Sequence, residues 1–199
     1  MKKIIILLFI AVNLNLSAQN NSIEAFKKSY TYESDKEYTK AIKVLEDIPH
    51  QTSYAANLRL GWLYYLNGEY IKSKSHYTKS ISLSSNSIEA RIGLVYPLSA
   101  MNSWDDVINV YDAILSIDAN HTSSHYQLAY IYFVRKKYLE AEKHLKHIIN
   151  LYPFDYDSNA LLGTVYVKLG KIKEAKKHYT IALEYNPTDT EIEKIVEGL

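Results

Sequence analysis

The sequence contains no cysteine. That excludes a disulfide scaffold, thiolate zinc and iron–sulfur sites, a cysteine nucleophile and a lipid-bearing N-terminal cysteine. Glycine and proline are scarce, at 6 and 4 residues in 199, while 47% of the chain is apolar. The chain is therefore neither fibrous nor disordered. Charge of one sign is also missing, with 23 Lys+Arg against 22 Asp+Glu. Such a balance gives no broad pull toward nucleic acid or an anionic membrane. No phosphate-binding glycine loop, dinucleotide fingerprint or nucleophile elbow occurs. Catalysis is not expected, and neither is a cofactor. What the chain has in excess is tyrosine, with 19 copies.

The first residues read as an address. Lys2 and Lys3 form a short basic start, Ile4–Val12 an uncharged apolar run, and Ser17-Ala18-Gln19 a small-residue exit. This is the pattern of a secretory signal peptide over residues 1–18. The alternative is an uncleaved membrane anchor, for which the run is short, since comfortable spanning of a bilayer takes about 20 residues. The expectation is an exported mature chain, not an integral membrane protein after cleavage. Its expected place is the periplasm, with peripheral outer-membrane association or secretion as the other destinations.

The rest of the chain repeats. Leu60-Gly61-Trp62-Leu63-Tyr64, Leu128-Ala129-Tyr130-Ile131-Tyr132 and Leu162-Gly163-Thr164-Val165-Tyr166 align without gaps at multiples of 34 residues. Units follow at 54–87, 88–121, 122–155 and 156–189. A shorter first unit covers 22–53, and residues 190–199 form one more amphipathic segment. Each unit holds two helical patterns, broken at Gly68, Asn102 and Gly170, residues that tolerate the left-handed backbone ending a helix. Lys36 and Lys136 hold that place less comfortably. Pro153 and Pro187 end the second helix in the last two units. Leucine, then a small residue, then tyrosine three places on make a stripe that one helix pair cannot bury alone. Stacked neighbours can. Pro97 falls inside a first helix, where Gly93, four residues back, would ease contact with its ring.

The order large–small–aromatic, then Gly-x-aromatic-x-x-Ala, then a terminal proline, at this period, resembles the tetratricopeptide repeat. Leu162, Gly163, Tyr166, Gly170, Ala175, Ala182 and Pro187 carry the resemblance best. The resemblance spans five units, about 168 of the 199 residues. There are departures. Ser73 and Ser80 stand where alanine is usual, and Val95 and Val107 at small-residue places. Asn57, Arg91, His125 and Asn159 replace the usual tryptophan. The resemblance implies an all-α, right-handed solenoid of about five helical hairpins with a C-terminal capping helix. It also implies that the first helix of each pair lines a concave face.

On that face the register places Tyr30, Arg59, Trp62, Tyr65, Tyr96, Tyr126, Tyr130 and Phe133. Aromatic rings supply large contact area with a polar edge, so these eight residues are the candidate partner-binding set. The alternative is that the rings pack between neighbouring first helices. Some members of the family hold a C-terminal carboxylate with a Lys/Asn pair four residues apart. Phe26/Tyr30 and Leu58/Trp62 stand in those places here, so that grip is not expected. His121/His125 and His144/His147 have metal-compatible spacings, but no carboxylate set completes a site and no metal is expected. His76, His144 and His178 recur at one place in their units, as half-exposed second-helix residues. The expected function is a non-enzymatic protein- or peptide-binding scaffold of the bacterial cell envelope. The rival is a small-ligand, glycan-type module using the same rings, and a third reading is self-association.

Overall fold

The computed structural model describes residues 21–199, so the expected leader over residues 1–18 lies outside the described residues. Among the described residues there are only helices and turns. Helix α1 is described over 21–34. It is followed by α2 (Tyr38–Glu46), α3 (Tyr54–Leu66), α4 (Tyr70–Leu83), α5 (Ile88–Ala100), α6 (Trp104–Ile117), α7 (Thr122–Val134), α8 (Tyr138–Leu151), α9 (Tyr156–Lys168), α10 (Ile172–Tyr185) and α11 (Thr190–Gly198). Helices α3, α5, α7, α9 and α11 start 34 residues apart. None of the described helices is long and apolar enough to cross a membrane.

The residues before these helices explain the regular starts. Ser53, Ser87, His121, Asp155 and Asp189 each accept a hydrogen bond from a backbone N–H in the first turn of the helix that follows. A cap of this kind satisfies a donor that has no partner inside the helix. His121 fills the role with Nδ1, which accepts from Ser124 N at 3.2 Å. The breaks between paired helices are equally regular. Lys36, Gly68, Asn102, Lys136 and Gly170 all have positive φ, between 56° and 79°. After each of them a backbone N–H reaches five residues back, as Glu69 N does to Tyr64 O at 2.9 Å and Lys137 N to Tyr132 O at 2.8 Å. This is the Schellman closure. Lys36 and Lys136 adopt it although their Cβ atoms make it unfavourable.

The described residues form two compact bodies, one running to Val110 and one from Tyr111. In the first, Ala25, Ala41, Ile42, Leu45, Leu60, Leu63 and Tyr64 make a core shared by α1, α2 and α3. In the second, Leu145, Leu162, Val165, Tyr166, Tyr179 and Ile192 join α8, α9, α10 and α11. The small residues at the eighth place accept aromatic rings. A methyl group on Gly61 would lie 2.9 Å from the ring of Tyr77, and one on Gly163 2.7 Å from that of Tyr179. Ser73 and Ser80 replace alanine without leaving a hydroxyl unmet. Ser73 Oγ donates to Gly61 O at 2.7 Å and Ser80 Oγ to Tyr54 O at 3.4 Å.

Gly93 also makes a close approach that its sequence place does not suggest. Helix α5 runs unbroken through the buried Pro97. The tight contact at Gly93 is with the ring of Tyr77, 2.1 Å from where a Cβ would stand.

Candidate functional site

In the first body the candidate residues gather around one buried cation. Ser29, Tyr30 and Glu33 lie on α1, Arg59, Trp62 and Tyr65 on α3, and Tyr96 on α5. The guanidinium of Arg59 pairs with Glu33 and donates to Ser29 O at 3.2 Å and Ser29 Oγ at 3.3 Å. It also lies 3.7 Å from the centre of the Tyr30 ring. Trp62 Nε1 donates to the second oxygen of Glu33 at 2.7 Å. Around this pair the rings form a patch. Trp62 meets Tyr65 at 5.6 Å and Tyr96 edge-on at 5.7 Å, while Tyr65 meets Tyr96 at 5.4 Å and Tyr70 at 5.9 Å. Tyr30 is 57% and Tyr96 44% exposed, whereas Trp62 and Tyr65 are half-buried.

Arg59 therefore departs from its expected role. It is 8% exposed and held by Ser29, Tyr30 and Glu33 of α1. A buried guanidinium needs its carboxylate and acceptors inside the protein; here the cation holds the Tyr30 ring and Glu33, and Glu33 in turn accepts from Trp62. Two carboxylates of this body are similarly engaged. Glu33 serves Arg59 and Trp62, and Glu89 accepts from Tyr54 O–H at 3.0 Å.

In the second body the candidates lie on α7 at helical spacing, with Tyr126, Tyr130 and Phe133 sharing a face. Tyr130 is 51% exposed. Tyr126 and Phe133 are half-buried against the core of this body, and Phe133 meets Tyr138 at 5.9 Å. Burial raises the Tyr126 phenol above its usual range, and the nearby Asp157 and Asp155 raise it further.

Comparison with known proteins bears on this arrangement of paired helices. A model described as tetratricopeptide repeat matches residues 54–87, and one described as anaphase-promoting complex (cyclosome) subunit 3 matches residues 100–182. A TPR repeat-containing protein of Methanocaldococcus jannaschii is 28% identical over 186 aligned residues. The alignment takes in 86% of this chain, which spans about a third (32%) of that relative's length. Over these residues the chain is similar to tetratricopeptide-repeat proteins. Solved structures agree on the fold. A crystal structure of MamA superposes with a TM-score of 0.72 at 16% identity, covering 87% of this chain and 96% of that one. MamA from Desulfovibrio magneticus gives 0.69 at 15% identity, covering 85% and 97%. A tetratricopeptide repeat protein from Parabacteroides merdae gives 0.74 at 16% identity, covering 89% and 71%. At these identities the likeness is one of fold: an all-α tetratricopeptide solenoid, a scaffold type associated with protein interactions.

Within the tetratricopeptide units the missing tryptophan has a substitute that sequence reading did not find. Asn57, His125 and Asn159 each meet a histidine 19 residues later, namely His76 at 3.0 Å, His144 at 2.9 Å and His178 at 2.8 Å. Asn57 Nδ2 donates to His50 O and Ser53 O, which leaves Oδ1 to accept from His76. His125 Nε2 donates to Ala119 O at 3.0 Å, so its Nδ1 accepts from His144. Each second-helix histidine also lies on a tyrosine of its own unit, Tyr64, Tyr132 or Tyr166. The constant separation of 19 was the available signal.

These histidines make stability depend on pH. Burial lowers His144 to about 4, helped by the charges of His125, Lys143 and His147. Burial also lowers His76, His125 and His178. Below the ordinary histidine value of 6.5 the unfolded chain takes up protons that the folded chain refuses, so stability is lost as pH falls from 6.5 toward 4. The full shift at His144 corresponds to about 3 kcal/mol. Water screens this half-exposed ring, and the expected loss is about 1–2 kcal/mol. Urea midpoints should fall between pH 7.5 and 5, and His144→Gln should flatten that slope. Equal midpoints across the range would refute the assignment.

Proposed function

We propose that this chain is a non-enzymatic scaffold of the bacterial cell envelope that holds a protein or peptide on the aromatic faces of its first helices. The exposure of Tyr30 and Tyr96 beside Trp62 carries the reading. Tyrosines left half in water, on a rigid helix and with a buried ion pair fixing their neighbours, are preformed anchors for a partner. Tyr130 offers a similar anchor in the second body. A segment bearing apolar or aromatic side chains, extended or helical, is the natural guest. The glycan-type reading is weaker, because Glu33 and Glu89 are already spoken for by Arg59, Trp62 and Tyr54. The export pattern of residues 1–18 supports the envelope location, and N-terminal sequencing of the mature protein should begin at Gln19.

The test uses Tyr96→Ala with Tyr130→Ala in the mature chain. Both side chains are exposed, so far-UV circular dichroism should be unchanged. Envelope proteins that the wild type enriches should fall by about tenfold, since losing one anchor weakens binding by ~1–2 kcal/mol. Equal enrichment by wild type and variant would sink the proposal. Sedimentation across concentrations addresses self-association; a constant monomer would remove it.

A further inference from the structure

The second body carries a cleft that the candidate set does not include. It lies between the end of α8 and the start of α9, where proline and acidic residues would lead one to expect a plain polar turn. Instead Leu151, Tyr152, Phe154 and, from the end of α10, Tyr185 stand exposed to water. They wall a cleft of about 580 Å³ together with Asp155, Tyr156 and Asp157. Tyr185 holds the wall together, meeting Phe154 edge-on at 5.5 Å and Tyr156 at 6.0 Å. A second hollow of about 240 Å³ shares Asp155 and Asp157 and adds Tyr126, Gln127 and Ser158. The first volume falls within the range of small binding sites, ~300–1,000 Å³, and the second just below it.

The polar groups of these hollows are unbalanced. Neither is lined by Lys, Arg or His. Asp155 is committed to capping α9, accepting from Ser158 N at 2.9 Å. That cap already answers the partial positive charge of the helix start. Asp157 is left over, exposed and without a hydrogen-bond or ion-pair partner among the described residues. Ser158 gives an independent sign. It is 1% exposed, and its Oγ has no hydrogen-bond partner. A serine inside a helix ordinarily turns its hydroxyl back to the carbonyl four residues earlier. Here that option is not used, on a residue that lines the hollow.

We propose that this acidic aromatic cleft takes an arginine or lysine side chain from an extended partner segment. Ring faces attract a cation lying over them. A carboxylate at the edge of the same cleft adds a charge-assisted hydrogen bond, and the planar guanidinium suits both contacts better than an ammonium. The inference rests on the reading of the chain as a peptide binder and names the chemistry of one guest residue.

Fluorescence polarisation with the labelled peptide Gly-Ser-Arg-Phe-Arg-Ser-Gly, and with its citrulline counterpart, tests this directly. Citrulline keeps the shape of arginine and removes the charge. The arginine peptide should bind about tenfold more tightly. Asp157→Asn should erase most of that preference. Tyr185→Leu should weaken arginine-peptide binding several-fold, and Glu24→Gln, a carboxylate change in the first body, should do nothing. Circular dichroism keeps a folding defect apart from a binding loss. Equal affinity for the two peptides, no binding of either, or indifference to Asp157→Asn would overturn the proposal. Binding of chitotriose with the same sensitivity to Asp157 and Tyr185, in place of the arginine peptide, would overturn it in favour of a sugar. If the peptide fails while Tyr96 and Tyr130 still govern capture from the envelope, only this inference falls.

Discussion

Gly93→Ala should destabilise the first body by about 3 kcal/mol or more, an unusually large effect for one added methyl group. The new Cβ would stand 2.1 Å from Tyr77 Cε1 and 2.7 Å from Cδ1 and Cζ. Inserting atoms into a filled core typically costs ~1–3 kcal/mol, and more where nothing can yield. Tyr77 cannot yield. It is 3% exposed, and its other side rests against Gly61, where a methyl group would be 2.9 Å away. Moving the ring off one helix drives it into the other. Gly68→Ala is the control. That glycine has open space around it but a φ of +79°, so the same chemical change there should cost only about 1 kcal/mol of backbone strain. Both tryptophans, Trp62 and Trp104, lie in the first body, and their fluorescence reports its unfolding. At a urea slope of ~2–3 kcal/mol/M the Gly93→Ala midpoint should drop by about 1 M. Tyr77→Leu should recover part of the loss in the Gly93→Ala background. A midpoint within error of the Gly68→Ala value would show that the helices separate freely at this point.

Glu33→Ala should cost about 2–4 kcal/mol. The change removes the carboxylate paired with Arg59 and the acceptor of Trp62 Nε1. Breaking a buried pair from one side leaves a desolvated charge, which is the expensive arrangement. Ser29 and the Tyr30 ring remain to Arg59, which holds the figure below the upper end for such pairs. Replacing both charges, Glu33→Leu with Arg59→Met, should return most of the stability, because similar volume is kept and no charge is stranded. The Glu33→Ala loss should persist in 1 M salt, since a buried pair is poorly screened. A loss under about 0.5 kcal/mol would place the pair with ordinary surface contacts.

Much of the fold was readable because packing repeats. Leu60, Leu128 and Leu162 sit at one place in the period, and all three are fully buried. The five left-handed turns fall where the sequence breaks its helical pattern, including the two lysines. The site was less legible, for reasons that differ by residue. Register alone put Arg59 on the face with Trp62, but burial and Glu33 turned it inward. At Gly93 the sequence points to Pro97 alone, because periodicity compares each unit with itself and hides a contact made by the preceding unit's Tyr77. The Asn–His and His–His pairs join places on two helices that were noticed separately. The aromatic cleft lies in a turn, where helical spacing says nothing about which side chains meet.

The seat of Tyr77 has a consequence for the order of the repeats. Its ring needs a residue without a side chain at the sixth place of the unit that follows, and that place reads Arg59, Gly93, Gln127 and Leu161 along the chain. Of these, only the unit beginning at Ile88 has glycine there; Tyr111, one unit on at the place of Tyr77, is followed by Gln127. These modules look interchangeable on the page, yet they are keyed to one another. Deleting residues 88–121 would keep the period intact and bring Gln127 to that place, so the Tyr77 ring would have to leave the seat it now takes against Gly93.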